Sequence, residues 1–135
     1  MAATFHCSIV TPTETVFDDQ VEYVSFPAWD GQHGVMAGQS PLLSQLGIGA
    51  LRIDGPDGGS RWYLLESGFA QVQDGALTLL TDRATPAADL SVDQANALIA
   101  EAAARIPTGG ADLGTFERLQ QRGFATRALA RVHGS

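Results

Sequence analysis

Three histidines, one cysteine and a scatter of carboxylates are the side chains of this chain that could bind a metal or move a proton. His6, His33 and His133 stand far apart, without the HxH or HxxxH spacing that places two imidazoles on one face. Cys7 is the lone cysteine, which removes an internal disulfide and any CxxC metal or redox pair. Glu14, Asp18 and Asp19 crowd one segment, read here as a loop, with no basic neighbour to split their roles into acid and base. All eight basic residues are arginine. Without a lysine there is neither a Schiff base nor the phosphate-binding lysine of a Walker A loop. The expectation is no catalytic, metal or cofactor site. Trp29, Trp62 and Tyr63 could stack on a sugar, so a carbohydrate- or ligand-binding β-sandwich is the alternative; aromatic residues on strands also serve cores and interfaces.

The charge is unevenly spread. Net charge is −7, with ten acidic against three basic residues before Ala87. From Leu113 onward only Glu117 opposes Arg118, Arg122, Arg127 and Arg131. An acidic body with a basic tail argues against general nucleic-acid binding, which needs cations over a broad face. No run approaches the ~18 apolar residues of a membrane span. The start lacks a basic stretch followed by an apolar one, and with a single cysteine this fits a cytoplasmic setting.

The elements that must carry these residues divide in two. Residues 1–86 read as short strands: Phe5, Cys7 and Ile9 alternate with polar neighbours, placing Cys7 inward and His6 outward. Val21–Phe26 repeats the pattern. Ala50–Ile53 and Arg61–Glu66 flank the turn-rich Asp54–Gly59, and Asp74-Gly75 joins Gly68–Gln73 to Ala76–Thr81 in the strongest two-residue hairpin signal. Regularly spaced short strands predict an antiparallel β-sandwich or barrel.

Residues 87–135 read as a helical hairpin. Ser91-Val92-Asp93-Gln94 is a capping box, and Val92, Ala95, Ile99, Ala102 and Ile106 follow helical spacing. Ile106-Pro107-Thr108-Gly109-Gly110 stops the first helix, and a second, capped by Asp112 or Thr115, runs to about Val132. The seam is mostly alanine, whose burial gains far less than the roughly 1.5–3 kcal/mol of a leucine. Gly123 inside the second helix costs about 1 kcal/mol relative to alanine. So light an attachment suits a switch. Arg118 and Arg122 share one helix side, and Arg127 and Arg131 nearly the opposite one; they are either a solvated surface or a docking face for an acidic partner.

Several segments resemble the epsilon subunit of F-type ATP synthases. Gly31-Gln32-His33-Gly34-Val35-Met36-Ala37-Gly38-Gln39-Ser40-Pro41-Leu42-Leu43 is similar to the family's GExGIxPGHxPLL segment, and Gly49-Ala50-Leu51-Arg52-Ile53 follows it as the family's pattern does. Glu66–Val72 and Leu77–Ala84 resemble two later family segments, so the likeness runs in order from Thr4 to Gln94. The resemblance implies a non-catalytic central-stalk subunit. Its β-domain would bind the gamma subunit and the membrane c-ring; its hairpin would reach the alpha and beta subunits and restrain ATP hydrolysis. It further implies a peripheral position on the cytoplasmic face of a bacterial inner membrane. Gln32, His33, Gln39 and Ser40 are the expected c-ring contacts, though Gly31–Leu43 taken alone could be only a structural loop. Arg118, Arg122, Arg127 and Arg131 are the expected inhibitory contacts.

The departures from the pattern are informative. Gln32 and Gln39 replace the family's Glu and His, exchanging charge for neutral hydrogen bonding, and Ala37 replaces a proline. Some members bind ATP through I/LDxxRA at the first helix. The matching Leu90-Ser91-Val92-Asp93-Gln94-Ala95 lacks both the Asp and the Arg, so no ATP site is expected.

Overall fold

A computed structural model describes residues 3–104 and 113–133, and their side chains except at Ala104 and 113–119. Seven strands come first: β1 (Phe5–Val10), β2 (Thr15–Val21), β3 (Tyr23–Ala28), β4 (Gly31–Met36), β5 (Leu42–Asp54), β6 (Ser60–Gln73) and β7 (Ala76–Pro86). A 3-10 turn, Ala87–Asp89, leads into α1 (Val92–Ala104) and α2 (Leu113–His133). The chain forms two units, the first ending at Ala84 and the second starting at Thr85.

The first unit is a β-sandwich made from one sheet in the order β2-β1-β7-β6-β5-β3-β4. β1 lies antiparallel to β2 but parallel to β7, with Cys7 opposite Leu77 and Ile9 opposite Leu79. The alternation read for β1 holds: Phe5, Cys7 and Ile9 are buried, joined in the core by Phe26, Leu51, Ile53, Leu65, Leu77 and Leu79. Burial pushes the Cys7 thiol up to about 12, with the nearby Asp18 carboxylate adding to the rise.

Two long strands turn the sheet over. On β5 and β6 the core-facing positions are even at one end (Leu46, Ala70, Val72) and odd at the other (Leu51, Ile53, Tyr63, Leu65). The change falls where Gly47 faces Ser67. Ser67 has φ +65 and Gly68 φ +118, so the backbone leaves the pleat and the side chains beyond it reverse faces. The buried Thr81 hydroxyl donates to the Ser67 carbonyl at 2.7 Å, fastening the bend to β7. A side chain at Gly68 would overlap the Leu80 carbonyl oxygen, so glycine is required there for space as well as torsion.

Three segments differ from the reading by alternation. Arg61–Glu66 and Gly68–Gln73 are one strand, β6, kinked at Ser67. Glu14 precedes β2, but Asp18 and Asp19 lie in that strand rather than a loop. β2 is an edge: Asp18 faces outward and pairs with His6, while Asp19 opposes Cys7 on the inward side. An inward carboxylate discourages another strand from adding. Gly31–Met36 is the other edge, β4, not part of a loop. Edge strands need little apolar alternation, which is why the pattern hid them.

In the second unit the Ser91 hydroxyl accepts the Gln94 amide N–H at 3.1 Å, the predicted cap. Ala95 and Ala102 are buried on α1, with Leu98 and Ile99 partly so. Ile106 lies outside the described residues. α2 turns Gly123, Thr126, Leu129 and Ala130 inward. The Thr126 hydroxyl is satisfied within its own helix, donating to the Arg122 carbonyl at 2.6 Å.

Candidate protein-binding surface

The glycine-rich segment from Gly31 to Leu43 becomes a strand, a turn and an exposed connection. Gln32 and His33 are adjacent on β4 and therefore point to opposite faces. The Gln32 amide donates to the Ser25 hydroxyl at 2.9 Å and to the Ala50 carbonyl at 3.2 Å, tying β4 across β3 to β5. His33 stacks on Phe26 with ring centroids 5.6 Å apart and lies 3.5 Å from Asp30 Oδ1. Both side chains thus have partners on neighbouring elements while staying accessible to solvent, Gln32 fully and His33 in part.

The turn after β4 is different. The Gln39 amide donates to the Met36 carbonyl at 3.2 Å, and Gly38 sits at φ +84, the arrangement of a type II turn with Ala37 in its second position. Gln39, Ser40 and Pro41 are exposed behind it. Of the four residues expected as ring contacts, Gln32, Gln39 and Ser40 are exposed and His33 is half-buried; Gln32 and His33 also brace the hairpin that carries the other two.

A second surface was not singled out by the sequence reading. Leu43, Phe69 and Leu80 are 71%, 53% and 49% exposed, on outward positions of three neighbouring strands. Phe69 opposes Gln45, so Leu43 is its diagonal neighbour on the same face. Gly68 lies against the Leu80 carbonyl, placing Phe69 beside Leu80. Leu80 in turn pairs with half-buried Val10 on β1. The result is an apolar row across β1, β7, β6 and β5. Trp29, 72% exposed, donates its amide to Gln45 beside that row. The sequence does hold a signal: Leu42-Leu43 and Leu79-Leu80 are doublets where a half-buried strand should alternate apolar with polar.

The aromatic platform of the alternative reading does not form. Trp62 and Tyr63 are successive strand residues on opposite faces; Tyr63 is buried and Arg52 lies over the Trp62 ring at 5.7 Å. That arginine also bonds Asp54 through Nε at 3.0 Å. Burial would raise the Asp54 pKa, but hydrogen bonds from Ser60 and Arg52 outweigh it and hold the carboxyl below its usual range. The groove beside β2, about 380 Å³, is lined by Phe17, Asp19, Pro56, Asp57 and Arg61, with Arg61 stacked over Phe17 at 5.6 Å. Among the described residues, no three metal-ligating side chains gather, and no helix is long and apolar enough to cross a membrane.

On α2 the arginines differ in setting. Arg127 lies over the Phe124 ring at 5.3 Å, Arg131 is exposed, and Arg122 is half-buried next to Gly123. The Arg118 side chain lies outside the described residues. Gln121, Phe124, Ala128 and Arg131 share the exposed stripe.

Comparison with known proteins gives a consistent result. The family described as ATP synthase, Delta/Epsilon chain, beta-sandwich domain matches residues 4–87. The ATP synthase epsilon chain of Rhodopirellula baltica is 41% identical over 96 residues, 71% of this chain and 74% of that protein. Its counterpart in Bordetella parapertussis is 34% identical over 119 residues, 85% and 84% of the two chains. Among solved structures, a chain of the Euglena gracilis mitochondrial ATP synthase (OSCP/F1/c-ring) superposes with a TM-score of 0.85 at 22% identity, covering 95% of this chain and 82% of that one. A chain of the Tetrahymena thermophila central stalk and c-ring gives 0.59 at 12%, covering 98% of each. At those identities the structural likeness speaks to the fold.

Proposed function

The chain belongs to the ATP synthase delta/epsilon-chain family, and from that premise we propose that it is a central-stalk subunit with no active site of its own, docking through the apolar row of its sandwich. The observation that carries this reading is the alignment of Leu43, Phe69 and Leu80, with Trp29 beside them, on the solvent side of a complete core. Exposed apolar side chains in register across neighbouring strands are a cost to a free monomer and an asset to an assembled one. The gamma subunit is the partner assigned to this row. Gln39 and Ser40, neutral and exposed, are assigned to the polar loops of the c-ring. Arg131 and the Arg127–Phe124 pair present the cation and the ring that an acidic surface of the alpha and beta subunits would meet. The subunit would then couple the F1 motor to the ring during ion-driven ATP synthesis, on the cytoplasmic face of a bacterial inner membrane. No ATP site is assigned at the start of α1, where Asp93 and Gln94 offer phosphate no cation.

The test is co-purification with gamma. The wild-type chain is expected to form a stable pair, and Leu43→Glu with Phe69→Glu to abolish it while circular dichroism stays unchanged. Retention of the pair by a folded double variant would remove the docking assignment. For the helical unit, a chain ending before Leu90 is expected to raise ATP hydrolysis by reconstituted F1; unchanged hydrolysis would remove the inhibitory role and leave the docking role intact.

A further inference from the structure

We infer that Gly123 is the latch of the α1–α2 pair: its missing side chain admits Ile99 and so lets the two helices lie together. A Cβ built on Gly123 would stand 2.8 Å from Ile99 Cγ1, 3.2 Å from the Ile99 amide nitrogen and 3.4 Å from Leu98 Cβ. The nearest atom is close to the root of a β-branched side chain, and the next belongs to backbone, so neither swings aside cheaply. Only glycine lets α1 approach this near. An interior glycine also makes α2 a poorer helix on its own. The propensity cost applies whenever α2 is helical and cancels between the paired and parted helices, so the contact with Ile99 is what favours the paired state.

The neighbouring residues fit this role. Thr126, one turn further along the buried stripe, keeps its hydroxyl on the Arg122 carbonyl, so parting the helices exposes no new hydrogen-bonding group at that position. Ala95, Ala102 and Ala130 supply small contacts that add little grip. The contact at Gly123 therefore weighs more than its size suggests. The latch is a property of this chain alone; its regulatory use rests on the stalk reading, and the measurement below requires no other subunit.

Spin labels on cysteines introduced at Ala97 and Ala128, both exposed, report the helix separation in the full chain. The buried Cys7 thiol stays unlabelled. The expected result is one short distance for the parent. Gly123→Ala should add a longer population, raised at least roughly fivefold, the lower end of what forcing a methyl group into a packed contact does. Combining it with Ile99→Ala, which removes Cγ1, should restore the short distance. Two outcomes overturn the inference: Gly123→Ala retaining the single short distance, or a long population that Ile99→Ala leaves in place. The double variant separates the latch from a general loss of folding.

Discussion

Phe26, Ile9, Leu51, Leu65 and Leu77 are enclosed in the sandwich, whereas the described residues buried in the helical unit are mostly small: Ala87, Ala95, Ala102, Gly123, Thr126 and Ala130, with Leu90 and Leu129. Stability from burial scales with apolar area, so the sandwich has a large reserve and the helix pair a thin one. The sandwich also carries side-chain cross-links, such as the Thr81 hydroxyl on the Ser67 bend and the Gln32 amide spanning three strands. On the proposed reading, one unit would be gripped and the other would change partners. The larger part of the difference is the volume of the buried side chains.

Five substitutions would break or sharpen that contrast. The largest effect belongs to the sandwich core: Phe26→Ala should cost about 3–5 kcal/mol in denaturant unfolding, whereas Leu129→Ala in α2 should cost about 2–3 kcal/mol, confined to the helical signal. A single joint transition for both variants would erase the distinction. Gly68→Ala combines a forbidden torsion with overlap on the Leu80 carbonyl, and a loss of upward of about 3 kcal/mol is expected by the same assay. In the helical unit, Ser91→Ala should cost about 1 kcal/mol through the lost cap, read as reduced helicity near α1 with the sandwich melting unchanged. The smallest effect is a gain: Ala37→Pro, at the second position of the type II turn, should stabilise the sandwich by about 0.4–1 kcal/mol, and a lowered melting temperature would reject the turn assignment.

The Cys7 thiol adds a pH coordinate. Its folded pKa of about 12 lies above the 9.0 of an exposed thiol. The folded state therefore holds its proton where the unfolded state has lost it. This contribution to stability is full below pH 9 and declines as pH rises toward 12. Alkylation should be slow at pH 8 in the folded chain and fast in denaturant, whereas a cysteine placed at Ala102 should react in the folded chain through helix parting. Equal protection of the two would contradict the contrast between the units.

Much of the architecture could be read from residue order. Alternation gave β1, Asp74-Gly75 gave the β6–β7 hairpin, and Ser91 gave the start of α1. The edge strands escaped because Asp18-Asp19 and the glycines of β4 carry no apolar rhythm, and an edge needs none. The candidate surface was legible in residue type but not in which side chains pair with their neighbours. Gln32, Gln39 and Ser40 are exposed, but the contacts of Gln32 with Ser25 and of His33 with Phe26 could be disclosed only by strand pairing. The outward leucines were visible as doublets, yet their alignment with Phe69 depends on register across strands far apart in sequence. Gly123 read as a weakness of α2; its contact with Ile99 appears only when the two helices are seen together.

The parallel pairing of β1 with β7 constrains how the chain can be made. Cys7 sits opposite Leu77, so the earliest strand must wait for one of the last before its second edge is covered. During synthesis the nascent domain has no complete form until β7 leaves the ribosome, and such distant pairing slows closure. Phe5 and Ile9 would meanwhile stay open to chaperones or to one another, making the unfinished chain more vulnerable to aggregation than the finished one.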